Sequence, residues 1–137
     1  MAFANCTTQV QKSVVPDAES IDFMPGIFGM KCLRVEMLVF SYMDKLSADY
    51  AGGRWVFCQL SNGGFFMYPQ ADQPMRIFVD GNHFEGSMSA EAAGIVACLF
   101  ALCHFASECD LGGEHYHLLR DYALDHPEAS GIFQAID

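Results

Sequence analysis

Basic residues are scarce in this chain. Its 137 residues carry 7 Lys and Arg against 17 Asp and Glu, a formal net charge of −10. That balance excludes a partner held through its phosphates, because too few cations are present to displace counterions, and no direct nucleic-acid binding is expected. An acidic surface can still meet a basic protein that handles DNA, and the plainer alternative is that the charge serves solubility. Long apolar runs are also missing: the longest, 92–103, has 12 residues, well short of the ~20 that span a bilayer, so no membrane partner is expected. No basic stretch followed by an apolar run opens the sequence, which reads as a cytoplasmic protein.

The usual signatures of chemistry are absent as well. No C-x-x-C pair occurs, and Gly63-Gly64 and Gly112-Gly113 lack both the lysine of a phosphate loop and the G-x-G-x-x-G spacing. The cysteines Cys6, Cys32, Cys58, Cys98, Cys103 and Cys109 are even in number, but four of them fall in strands, helices or apolar runs, so they read as reduced and mostly buried thiols. Cys58 and Cys98 sit where burial would raise a thiol pKa and shield it, the opposite of an activated nucleophile.

What is present is apolar: 52% of residues are hydrophobic and 13% aromatic, enough for one core in a chain of this length. Residues 1–16 show no periodicity and read as a flexible lead-in, followed by a single α+β domain over 17–137. Apolar residues around Pro25-Gly26 suggest a short helix or turn. Leu38, Tyr42, Leu46 and Tyr50 draw a helical stripe, predicting a helix over 34–50. Alternating apolar segments with glycine-rich turns predict an antiparallel sheet of about four strands over 54–60, 65–69, 75–80 and 83–87, paired as two hairpins. Trp55 reads as a core residue or, if exposed, a binding anchor.

Ser89 suits a helix N-cap and Glu91 its first turn, and Ala90, Gly94, Ala97 and Ala101 make a small-residue stripe, so a helix over 89–108 is expected to approach the sheet closely. Helices over 114–126 and 128–136 follow, the first beginning after Gly112-Gly113 and both bounded by Pro127.

One constellation could hold a metal. His104 and Glu108 stand four apart on a helix, and His115 or His117 from the next segment could join them, which would suit a small metal-dependent hydrolase using His104, Glu108 and His117. The spacing matches no zinc signature, and the same residues read equally as polar groups at a helix end. The acidic series Glu108, Asp110, Glu114, Asp121, Asp125, Glu128 and Asp137 has Arg120 as its sole Lys or Arg, so the C-terminal third should present a negative face.

Several motifs in order carry a resemblance: residues 50–55 (YAGGRW), 60–65 (LSNGGF), 81–86 (GNHFEG), 89–96 (SAEAAGIV), 120–123 (RDYA) and 126–130 (HPEAS). From about Phe23 to Asp137 the chain resembles the ArdB/KlcA antirestriction proteins. The resemblance implies a small cytoplasmic protein of plasmids or other mobile elements that relieves type I DNA restriction in a bacterial host. It implies no catalysis, no cofactor and a compact mixed fold. The partner is then the type I restriction-modification complex, met directly or indirectly by a monomer or weak homodimer. Candidate contact residues are Asp121, Asp125, Glu128 and Asp137. A DNA mimic competing for the enzyme's DNA groove is the alternative, disfavoured because dispersed carboxylates on an apolar globule cannot match a duplex charge every ~1.7 Å of axis.

Overall fold

The computed structural model describes residues 9–137. The elements run β1 (Lys12–Val14), α1 (Asp17–Phe28), a 3-10 turn (Gly29–Lys31), α2 (Cys32–Leu46), β2 (Trp55–Leu60), β3 (Phe65–Pro69), β4 (Met75–Val79), β5 (Phe84–Met88), α3 (Ala90–Phe105), α4 (Asp110–Ala123) and α5 (Ala129–Ile136). The α+β class is as expected, and the four strands fall where the turn chemistry placed them.

They do not form one sheet. Two antiparallel sheets are present, one ordered β1-β2-β3 and the other the hairpin β4-β5. Cys58 lies opposite Phe66 and Val14 in the first, and Met75 opposite Met88 in the second. The break follows Pro69, where proline removes a ladder donor.

The first sheet gains its third strand from the segment expected to be a lead-in. Ser61 donates its amide to the Gln11 carbonyl at 2.8 Å, the Gln11 amide donates to Ser61 Oγ at 2.8 Å, and Val15 donates to Phe57 at 2.9 Å. Backbone pairing needs no side-chain periodicity, so the sequence pattern misses it. The rest of that expected lead-in, residues 1–8, lies outside the described residues.

The helices differ from expectation mainly at their ends. α1 is a full 12-residue helix running through Pro25, where a short helix or turn was expected. α2 stops at Leu46 because Ser47 is extended and buried, its Oγ accepting from the Asp49 amide at 3.2 Å, and Tyr50 packs instead against Trp55. α4 begins at Asp110 and contains both glycines that had read as its preceding break. A Cβ at Gly112 would overlap the Ala106 amide and stand 2.7 Å from the Phe105 carbonyl carbon. Glycine is there for close approach of α4 to the end of α3.

α3 is the spine, packed on α2, α4, α5 and β3. Ile95, Val96, Leu99 and Leu102 are buried, each contributing about 1.5–3 kcal/mol by leaving water. On the side facing β3 the small-residue stripe does what its composition allows. A Cβ at Gly94 would overlap Tyr68 Cβ and lie 2.7 Å from its Cα, so only glycine lets helix and strand meet there. Beside it, Cys98 Sγ donates to the Met67 carbonyl at 3.4 Å.

Candidate functional site

Asparagines in the two hairpin turns tie the sheets to the C-terminal helices. Asn62 Oδ1 accepts from the Gly64 amide at 2.9 Å while its Nδ2 donates to the Leu118 carbonyl at 2.9 Å, and Gly63 supplies the left-handed φ of +94° that this turn requires. Asn82 repeats the device: Oδ1 accepts from Phe84 and Nδ2 donates to the Ala135 carbonyl, both at 2.9 Å.

At the N-terminus of α3 a polar network joins three parts of the chain: β1, the start of α3 and the turn before α5. Ser89 Oγ caps the helix by accepting from the Ala92 amide at 3.1 Å, and the same hydroxyl donates to Glu128 Oε2. Glu128 Oε1 accepts the Ser89 amide at 2.9 Å. The Glu128 amide donates to His126 Nδ1 at 2.9 Å, so the ring hydrogen on Nε2 is the one that reaches Glu91 Oε2 at 2.8 Å. Lys12 from β1 pairs with the other oxygen of Glu91. The His126 hydrogen bond, then Lys12, hold the Glu91 carboxyl below its ordinary range against the opposing effect of burial. With its side chain 4% exposed, His126 is an internal strut.

The network decides where the expected contact residues stand. Glu128 is half-buried and engaged with Ser89, so it caps α3 and does not offer a free carboxylate. Asp121, Asp125 and Asp137 are exposed. Asp110 and Glu114, outside the expected contact set, are exposed as well. Asp110, Glu114 and Asp121 share one face of α4, with His117 between them, and Asp125 continues the line in the turn beyond. The spacing signal i, i+4, i+11 was readable once α4 is known to begin at 110. Among the described residues none of these five carboxylates has an ion pair. Arg120 leaves the ridge uncompensated by turning aside to the Phe133 ring, 5.2 Å from its centroid.

The metal-type set is not assembled. Arg34 takes both oxygens of Glu108, at 3.0 and 2.7 Å, and this contact holds the Glu108 carboxyl below its usual range. His104 Nδ1 is 3.0 Å from Tyr42 Oη, and His117 lies on the exposed face of α4. Among the described residues no three His, Cys, Asp or Glu side chains converge as a metal cluster. His115 is buried against Phe28 and Phe65, with ring centroids 5.2 and 5.8 Å away, and burial pushes its pKa down.

Burial also raises the Cys58 thiol to about 11 and the Cys98 thiol to about 12, which leaves both protonated at neutral pH. Cys32, Cys58, Cys98, Cys103 and Cys109 are all free, with Cys103 exposed and Cys109 half-buried. Cys6 lies outside the described residues. Trp55 is half-buried between the rings of Phe40 and Tyr50, and its Nε1 donates to Tyr50 Oη at 3.1 Å.

A family model described as antirestriction protein matches residues 48–137. The chain belongs to the ArdB/KlcA antirestriction family. It is 47% identical over 132 residues to an antirestriction protein KlcA of Escherichia coli, covering 90% of each chain. An uncharacterized protein YafX of Escherichia coli K12 is 46% identical over 129 residues, 90% of this chain and 85% of that one. A solved structure superposes with a TM-score of 0.87 at 43% identity, covering 96% of this chain and 99% of the other. It is described as showing that KlcA and ArdB have a novel fold and antirestriction activity against type I DNA restriction systems in vivo but not in vitro. No helix among the described residues is long and apolar enough to cross a membrane.

Proposed function

We propose that this protein relieves type I DNA restriction in the cytoplasm of a bacterial host, without catalysis, by presenting the acidic face of α4 to a component of the restriction system. Whole-length similarity to a solved relative with that activity in vivo carries the reading. The contact is assigned to Asp110, Glu114, Asp121 and Asp125, with Asp137 on the same C-terminal third, because these carboxylates have no internal work while Glu108 and Glu128 do.

Charge spacing argues against literal imitation of DNA. Asp110 to Asp121 spans about 16 Å of helix axis at ~1.5 Å per residue. One DNA strand offers roughly five phosphates over that length, at about 3.4 Å each, and the ridge offers three carboxylates. The absence of activity in vitro for the solved relative agrees with a route that needs a further cellular component.

Plating of unmodified phage on a type I restricting strain, with and without this gene, tests the function; equal plating overturns it. Charge reversal of Asp110, Asp121 and Asp125 to Lys tests the surface. Restriction should return while the protein stays folded, with only a small drop in the unfolding midpoint from the cation placed in the first turn of α4. Full relief by the triple variant removes the ridge from the mechanism.

A further inference from the structure

A second helix face is apolar and largely exposed, with Phe40 also resting on Trp55, and its chemistry is the reverse of the ridge. Met30, Leu33, Met37 and Phe40 are 96%, 72%, 57% and 37% exposed, and their spacing of three, four and three draws one stripe along the 3-10 turn and α2. Exposed large apolar residues in a row mark an interaction surface. The stripe lies outside residues 48–137, which the family model matches.

We infer that α2 pairs with α2 of a second copy, antiparallel across a two-fold axis near Met37. Charge selects this occupant. A chain of net charge −10 repels its own copy least where its surface is balanced, and on residues 29–46 Lys31 and Lys45 offset Glu36 and Asp44 while Arg34 is paired with Glu108. Asp44 continues the stripe at the C-terminal end of α2, where the helix dipole disfavours a carboxylate, and Lys31 stands at the other end. Antiparallel pairing brings each Asp44 to the positive end of the partner helix beside Lys31, twice by symmetry, and lays Leu33 against Phe40. Lys31 and Asp44 are both exposed, and among the described residues neither has an ion pair.

A single-helix seam is smaller than the ~800 Å² per partner of standard interfaces, so the dimer is weak, with a dissociation constant on the order of micromolar. Sedimentation over about 1 to about 500 µM full-length protein tests it. The parent should shift from monomer to dimer, Leu33→Glu and Met37→Glu should each raise the dissociation constant at least ~10-fold, and Asp44→Lys should weaken pairing in a manner restored by adding Lys31→Asp. Unchanged unfolding midpoints verify that these surface variants fold. A monomer throughout the series overturns the inference. So does a dimer indifferent to Leu33→Glu, or one that the double charge swap fails to restore. A monomeric parent whose Leu33→Glu variant no longer relieves restriction gives the face to a different protein and also overturns it.

Discussion

Asp125 and Glu128 are three residues apart and carry the same charge, yet they do opposite things. Asp125 is exposed without an ion pair, whereas Glu128 accepts both the amide and the hydroxyl of Ser89 and fixes the start of α3. The same division runs through the rest of the molecule. Asn62, Asn82, Glu91 and His126 reach across between elements, while Asp110, Glu114 and Asp121 line the outside of α4. A polar group that is buried must be satisfied, so its identity is tied to the fold; a solvated carboxylate is free to answer to a partner. Asn62, Asn82, Glu91, His126 and Glu128 therefore serve the fold, and the exposed carboxylates of α4 are free for a partner.

The largest effect expected is at the inward extreme. Gly94→Val forces a branched side chain into Tyr68 and should lower stability by about 3 kcal/mol, read by thermal or denaturant unfolding. An unchanged midpoint would mean that α3 and β3 are not held this closely. Next, Glu128→Ala should cost about 2 kcal/mol by leaving the Ser89 amide without its partner, and Asp125→Ala should stay within about 0.5 kcal/mol. Equal losses at the two positions would break the comparison.

A pH series sharpens it further. Burial lowers the folded-state pKa of His115 below its ordinary 6.5, so unfolding takes up a proton that the native state resists. That contribution to stability is intact above about pH 6.5 and is lost as pH falls below it. His115→Leu should therefore lose less stability between about pH 7 and about pH 5 than the parent, measured by denaturant midpoints. A parallel decline in both proteins would remove His115 from the acid response. The smallest effect belongs to the exposed Arg34 and Glu108 pair: Arg34→Ala should leave the unfolding midpoint almost where it is, and closer still in high salt.

Much of the fold was legible because local rules and packing agree. Gly63, Asn82 and Pro69 punctuate the hairpins, and Ser89 caps α3 as its side chain suggests. Misreadings occurred where distant contacts decide. Gly112 and Gly113 look like a stop in sequence, but α4 runs through them because its first turn presses on Ala106. Lys12–Val14 has no strand pattern, and it becomes one because β2 offers a free edge. Of the candidate site, the acidic composition was visible, but the ridge was not, since its register depends on where α4 begins.

The α+β class, the hairpin positions and the buried helix at 90–105 follow from turn chemistry and apolar periodicity, which are local properties of the chain, and the family from the motifs it resembles. The split of the strands into two sheets, the facing of Glu128 to Ser89 and Asp125 to solvent, and the pairing of Arg34 with Glu108 arise from long-range contacts. Those outcomes depend on which elements meet across the chain, and the direction of a carboxylate is set by the donor that folding brings to it.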